Sequence, residues 1–543
     1  MTFGLSRASL AALATFTIST LACNSVLSAE QISIEKPIVE KTTVEKSSVE
    51  TRSNGTSATG TSAVGTPDNG TSSPGTPSLE RSSTVGPLGE IIPVDGNAGE
   101  KPLEKNVVDK PSEPERVPRE EVREIRPLPG GLDSIPVFNS NSPEIVMADG
   151  VLLSTFPSSE GPAHLNFSFD GRFDIFAHHV ADGKKSGHTE ELYFGFLVGN
   201  TGEKPVKVQI LNGASYVSQP DAPFVALAPY LDNDEGQIFA GPGDRVTDEL
   251  LRDEKTPEWK SKIVVPPGKT VLLKSLPLRV MFATPHSNGR SVIARLKSNG
   301  PVHLALVSKY AIPTSEAVFR EPTEEEYLSV LDKGELVHPR DVAPTRPEEK
   351  GALKYGRVSG VASGSTWKAR VTDRRSRVLA LPTPEKPIGY PIAALKQGTF
   401  GTGQVQSAPL VVRYEDTAYQ AHGNYGVKYD LTFPLKNTSD RDLKFKLVFE
   451  TPIKSDAKKD QVTFYEPYYN NVFFRGTIKV STGSGKKAAH YKHLVEHRGE
   501  SVTPLLTEVL SRGETRIVRV ELLYPPDCTP PQLLTLSTST DVE

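Results

Sequence analysis

The chain has 543 residues, 36% of them apolar and 24% charged, enough for two to four domains at about 100 to 200 residues each, which excludes a minimal peptide scaffold. With 62 Lys and Arg against 66 Asp and Glu the formal charge is −4, so no basic excess exists to neutralise a nucleic-acid backbone, and nucleic acid is not an expected partner. The 45 Pro and 43 Gly, roughly 16% of the chain where about 12% is usual, point to many turns or to an unfolded segment.

At the amino terminus Arg7 precedes an uncharged apolar run from Ala8 to Ala22 and a small-residue site, Leu27-Ser28-Ala29. That layout predicts a secretory signal peptide over 1–29. The run is too short and too rich in Ala, Ser and Thr for a membrane span of about 20 residues, so no transmembrane segment is expected. Thr20-Leu21-Ala22-Cys23 also matches part of a lipoprotein cleavage site, which would make Cys23 a lipid anchor. Either event removes Cys23 from pairing, leaving Cys528 without an intrachain partner, and stability must come from packed cores. The expected location is exported: periplasmic or extracellular, with outer-membrane association as a variant.

From Glu30 to Val137 there is no Phe, Tyr or Trp. Within this stretch Glu recurs at 35, 40, 45 and 50, and Gly-Thr continues the same five-residue phase at 55, 60, 65, 70 and 75. Gly and Thr at the regular positions offer no core to bury, so 30–126 is predicted to be a disordered low-complexity linker. It is also acidic, with 17 acidic against 11 basic residues between Glu30 and Ile125. A flexible coil of this length spans roughly 50 to 60 Å.

Beyond Pro127 short alternating runs punctuated by Gly, Pro and Asn indicate antiparallel β-structure. Leu192, Phe194, Phe196 and Val198 share one face, Asn200-Thr201-Gly202 turns, and Val206, Val208 and Ile210 face inward again. The same arrangement recurs 237 residues later: Tyr429, Leu431, Phe433 and Leu435, then Asn437-Thr438-Ser439, then Leu443, Phe445 and Leu447. Each is predicted to be a half-buried hairpin. Gly268 and Gly513 mark a second pair of turns, each feeding a further strand. More strands are expected at 163–169, 172–179, 291–297, 302–309, 408–414 and 472–480. The fold class that follows is all-β: two β-sandwich domains of immunoglobulin-like character, 127–315 and 385–543. The connector between them, 316–384, carries one short helix marked by a Thr323/Glu326 capping box and stopped at Gly334, with largely irregular structure from 336 to 388. Asp244 to Arg252 is a second short helix candidate.

The segments RPLPGGLDSIPVFNSNSPEIV, GRFDIFAHH, YVSQPDAPF, FAGPGDRV, YGRVSGVA, GTFGTGQVQSAPLVVRY, AHGNYGVKYDLTFPL, VFFRGT and LLYPPDCTPPQ together resemble the cyanobacterial family called domain of unknown function 3370, over about 124–540. The resemblance implies a bacterial envelope or secreted protein and brings no catalytic residues, ligand or reaction with it. The repeat linker looks like an addition to the family's usual pattern.

The residues that could carry chemistry do not assemble into a known constellation. His490, His493 and His497, and likewise His178, His179 and His188, fall in strand-rich sequence, where neighbours diverge to opposite faces. Asp232, Asp234 and Gly236 resemble half of a calcium loop but lack the closing Glu. Thr482-Gly483-Ser484-Gly485-Lys486-Lys487 lacks the first Gly of a phosphate loop, and Gly398, Gly401 and Gly403 precede no helix. Cys528 has no His beside it in sequence, and Ser455 with Lys458 matches Ser-x-x-Lys only in a charged loop. No catalytic residue, metal ligand or cofactor is therefore assigned.

The strongest interaction feature is aromatic: Tyr465, Tyr468 and Tyr469, with Phe464, Phe473 and Phe474, lie within 11 residues, and Tyr414, Tyr419 and Tyr425 precede the second predicted hairpin. Exposed, these tyrosines stack on sugar rings or anchor a protein; buried, they pack the domains together. The expected function is a non-catalytic envelope protein that binds a glycan or an envelope protein, with a glycan-acting hydrolase as the alternative.

Overall fold

The computed structural model describes residues 114–183, 190–253, 259–283, 286–315, 318–457, 460–483, 489–500 and 503–542. The signal peptide, the Cys23 anchor, the pentad repeats and His188 lie outside them. Within the described residues the chain is mostly β-structure, with two short α-helices.

The two repeated segments form strands as their alternation requires, Leu192–Asn200 with Val206–Val217 and Lys428–Lys436 with Leu443–Glu450. They are not hairpins. Leu192–Asn200 pairs antiparallel with Lys269–Pro277 and His303–Tyr310, whereas Val206–Val217 pairs with Lys262–Val265 and Ser287–Ser298 in a different sheet. Lys428–Lys436 and Leu443–Glu450 are separated in the same way. Each turn therefore carries the chain from one sheet to another, an arch in place of a hairpin.

The cause is the buried asparagine at each turn. The Asn200 Nδ2 donates to the carbonyls of Lys204 at 2.8 Å and Val265 at 3.1 Å, while its Oδ1 accepts the Gly202 N–H at 3.0 Å. Asn437 repeats this with Arg441 at 2.8 Å, Leu510 at 2.9 Å and the Ser439 N–H at 3.0 Å. The side chain closes the turn and ties it to the end of a strand in the sheet the chain is about to enter, at Val265 in one case and Leu510 in the other. Gly268 and Gly513, with φ of 60° and 77°, turn the second crossing of each set, from Lys262–Val265 to Lys269–Pro277 and from Leu506–Leu510 to Thr515–Leu523. Only a residue without a Cβ adopts that backbone without strain.

One core lies between the four-stranded sheet, ordered Lys269–Pro277, Leu192–Asn200, His303–Tyr310 and Gly150–Ser154, and an eight-stranded sheet that includes Val206–Val217, Ser287–Ser298 and Arg172–Asp182. Phe194 and Phe196 from the first meet Phe173, Ile175, Val208 and Val292 from the second. The other core brings Tyr429, Leu431 and Phe433, of a second eight-stranded sheet, against Phe445, Phe449, Leu534 and Leu536 of a five-stranded one. Strands cross over along the chain: Val358–Ser363 and Ala408–Arg413 extend the first large sheet, and Tyr230–Asp232 forms the edge of the second. All described residues fall in one compact unit.

Leu192–Asn200 is covered on both faces, not one, because the helix Glu324–Lys333 packs Tyr327 on the far side, against Leu197. Gly195 permits this approach: a Cβ there would stand 2.5 Å from the Tyr327 ring. The helix starts at the expected capping box, Thr323 with Glu326, and ends at a left-handed Gly334. The second helix, Pro242–Leu251, is buried on nearly every side, packed against Val206–Val217, Ser287–Ser298, Val472–Ser481 and Thr515–Leu523.

Four segments differ from the sequence reading in their strands. The stretch 163–169 makes only the bridge Phe169 to Val302, because Asn166 takes φ of 52° and breaks the extended run. Val358–Ser363 and Thr366–Arg370 are strands where irregular structure was expected; Gly360 and Gly364 hide their alternation. Val117–Val122, inside the expected linker, pairs with Gln461–Glu466. Its side chains are largely exposed, so backbone pairing holds it and no hydrophobic alternation announces it.

Replacing Asn200 or Asn437 by Ala leaves one buried carbonyl, that of Val265 or Leu510, unpaired at about 1–3 kcal/mol before relaxation, together with two half-buried turn groups. Urea unfolding of N200A and N437A should show a loss of at least about 2 kcal/mol for each; a loss below about 0.5 kcal/mol would mean that the arches do not rest on these side chains.

Candidate functional site

The aromatic run at 464–474 is shaped by two strands and the turns that join them. Gln461–Glu466 leads into a loop that returns as Val472–Ser481, whose antiparallel partner, Ala489–His497, ends at the turn Arg498–Gly499. A register shift between Val472 and Phe474 leaves Phe473 unpaired in the ladder. The turn and the loop are tied by Tyr465 N–H to the Gly499 carbonyl at 3.0 Å, Tyr469 N–H to the Arg498 carbonyl at 3.1 Å and Arg498 N–H to the Asn471 carbonyl at 2.9 Å.

These ties gather the side chains into one surface. Tyr465 meets Tyr469 edge to face at 5.3 Å. Tyr468, 40% exposed, stacks on His497 at 4.9 Å and 25°. The His497 Nδ1 lies 2.9 Å from a Glu500 carboxylate oxygen, which fixes the plane of the imidazole and with it the stack. The Arg116 guanidinium sits 4.2 Å from the Tyr469 ring centre, and that of Arg498 lies 4.7 Å from Tyr469 and 5.7 Å from Phe473. Aromatic faces beside fixed guanidinium planes offer stacking and charge-assisted hydrogen bonding together.

Two carboxyl groups lie beneath. Glu450 is 2% exposed and accepts the Thr535 hydroxyl at 2.6 Å, with the Arg123 Nε at 3.7 Å. Glu496 is 0% exposed, and among the described residues neither of its oxygens has a hydrogen-bond partner. Burial pushes the Glu496 carboxyl well above the ordinary range, helped by the charges of Glu450 and Glu500, and burial also raises Glu450.

Of the sequence candidates, Tyr465, Tyr468 and Tyr469 come together here. Tyr414 is buried; its hydroxyl accepts the Ser154 N–H at 2.9 Å and donates to the Ala163 carbonyl at 2.6 Å. Tyr425 donates to the Cys528 carbonyl at 3.0 Å and packs against Tyr524. Tyr419 lies under the Arg413 guanidinium at 3.7 Å. These three stand apart from the surface at 465–473.

The histidines diverge. His490 is exposed near Asp234, His493 is fully buried with its Nε2 2.7 Å from Asp244, and His497 belongs to the aromatic surface. His178 bonds Ser291 at 2.7 Å on one side of its strand, and His179 bonds Ser140 at 2.9 Å on the other. Asp232 pairs with Lys492, and Asp234 accepts the Tyr491 N–H at 2.7 Å, so this turn clasps the neighbouring strand. Among the described residues no group of three His, Cys, Asp or Glu side chains is placed to hold a metal ion. Cys528 is buried, and burial pushes its thiol well above the usual value, leaving it unreactive.

A second buried polar cluster was invisible in the sequence because its members lie some 250 residues apart. Asp527 accepts the N–H groups of Gly243 at 2.8 Å and Asp244 at 3.3 Å at the start of the helix Pro242–Leu251. It caps that helix from a distant loop. Asp244 in turn accepts the Ala240 N–H at 2.8 Å beside its contact with His493.

The sequence matches the family described as "Protein of unknown function (DUF3370)" over residues 123–538, and the chain belongs to that family. No curated protein matches. Among solved structures, Lac15 from a marine microbial metagenome aligns at 10% identity over 69% of this chain with a TM-score of 0.11, and an oxalate decarboxylase at 10% identity over 69% with a TM-score of 0.09. The alignment spans about half of the Lac15 chain, 54%, and 81% of the oxalate decarboxylase chain.

Burial outweighs the Arg475 charge and the two N–H groups at Asp527 and pushes its carboxyl up to about 6, from 3.8. The folded state then holds a proton that the unfolded state has lost between those values, so this group's contribution falls as pH rises from about 4 to 6. D527N removes the effect, and its stability relative to the unaltered chain should rise between pH 4 and pH 7 by on the order of 2–3 kcal/mol. Urea midpoints at the two pH values check this; a constant difference would show that Asp527 is ionised throughout.

Proposed function

We propose that the protein is an exported, non-catalytic component of the cell envelope that binds glycan through the surface formed by Tyr465, Tyr468, Tyr469 and Phe473. The observation that carries this reading is Tyr468: an exposed ring held flat on His497, which Glu500 in turn orients. Sugar rings stack on such faces, and a platform ordered before binding loses little entropy on binding. In this reading the two cores correspond to immunoglobulin-like sandwiches, 127–315 and 385–543, joined by 316–384 and lending strands to one another. Export by the segment 1–29, with or without a lipid on Cys23, and a spacer over the repeats would set the binding surface at a distance from the membrane.

The hydrolase alternative would use Glu450 and Glu496, two carboxyl groups close enough for the charge of one to act on the other. Glycoside hydrolysis needs both to flank an open cleft that admits the sugar and a water. Their burial beneath the aromatic surface favours binding over hydrolysis.

The test is retention of the chain on insoluble cell-wall and exopolysaccharide fractions. Y468A should lower the affinity about tenfold or more, equivalent to about 1.4 kcal/mol, while melting at the unaltered temperature. Equal retention of Y468A, or no retention of the unaltered chain on any fraction, would overturn the proposal.

A further inference from the structure

Beside the aromatic surface two cations, Arg498 and Lys454, stand on neighbouring turns. The guanidinium of Arg498 rests over Tyr469 and Phe473, and among the described residues its side chain makes no hydrogen bond and no ion pair. Lys454 is its neighbour. Ile453, adjacent to Lys454, lies against Gly499, adjacent to Arg498, such that a Cβ on Gly499 would stand 3.3 Å from the Ile453 Cδ1. Lys454 is exposed and also lacks an ion-pair partner among the described residues. Although the residue as a whole is open to solvent, desolvation at its ammonium end and the positive charge of Arg498 lower its affinity for a proton, against the charge of the nearby Asp456. The nearby acids are hydrogen-bonded to other groups, although the charge of Asp456 reaches Lys454. Asp456 accepts the Thr399 N–H and hydroxyl, each at 2.8 Å, Glu500 holds His497, and Glu450 takes the Thr535 hydroxyl.

Two like charges brought together repel, and the repulsion is relieved when an anion lies between them. A planar guanidinium already fixed on an aromatic face presents paired donors that match a carboxylate or a sulfate. We infer that Arg498 and Lys454 form a subsite for an anionic group, a carboxylate or a sulfate ester, on a sugar whose neighbouring ring stacks on Tyr468. This rests on the glycan-binding reading above and narrows it from glycans in general to acidic ones.

The experiment is affinity electrophoresis of the full chain in native gels cast with alginate, with dextran sulfate or with neutral dextran. Retardation is expected in alginate or in dextran sulfate, weakening as salt is raised, with little or none in dextran; the two anionic gels distinguish carboxylate from sulfate. R498Q and K454Q should each weaken that retardation about fivefold or more and flatten its salt dependence, with unchanged far-ultraviolet circular dichroism and melting. Lys454 is exposed, so K454Q keeps the test informative even where R498Q disturbs the turn. Equal retardation in neutral and anionic gels would overturn the acidic-glycan inference and leave the glycan reading standing, as would anionic retardation that neither variant weakens. Absence of retardation in all three gels, together with no retention on envelope fractions, would overturn both.

Discussion

The architecture depends on two buried asparagines that stop neighbouring strands from pairing with each other. At Asn200 and Asn437 the side chain takes over the backbone hydrogen bonds of the turn, and the following strand enters the opposite sheet. Without those side-chain bonds the shortest solution for two alternating strands joined by a turn of five or six residues is a hairpin. A hairpin would leave the apolar face of each pair looking for a separate partner. The arch instead places both apolar faces across one core, so Phe194 and Phe196 meet Val208, and Leu431 and Phe433 lie in one cluster with Phe445 and Leu447.

The aromatic surface inherits its geometry from the second arch. Because Leu443–Glu450 runs in the five-stranded sheet, its end brings Thr451 against the turn after Ala489–His497: the Thr451 hydroxyl donates to the His497 carbonyl at 2.6 Å, and its carbonyl accepts the Gly499 N–H at 2.8 Å. The same strand end delivers Lys454 to Arg498 and places Glu450 near Glu496. Stacking platform, cationic pair and buried carboxyl groups thus share one structural origin.

The alternation of 192–198 and 429–435 was legible, as was the 237-residue repeat, because burial on one face leaves its mark every second residue. Whether the strands bond to one another or face one another was not legible, since both arrangements put the same residues inside. The capping box at Thr323 was readable because it is local chemistry. Val117–Val122 was not, because an edge strand held by its backbone needs no apolar pattern. In the site, Tyr465, Tyr468 and Tyr469 stood out by their density. Arg498 and Lys454 come from separate turns and look like ordinary surface charges until the fold sets them side by side. Tyr414 and Tyr425 had the same composition signal as the site tyrosines but donate to backbone carbonyls inside the molecule. Residue type alone does not separate an interior tyrosine from an exposed one.

The central claim, that ligand meets the chain at the platform ordered by the second arch, is tested most directly by amide hydrogen exchange of the full chain with and without a saturating mixture of uronate and sulfated oligosaccharides. The account predicts added protection confined to 453–456, 465–473 and 496–500. Protection centred elsewhere, such as on the edge strand Leu506–Leu510, or no change anywhere, would contradict it.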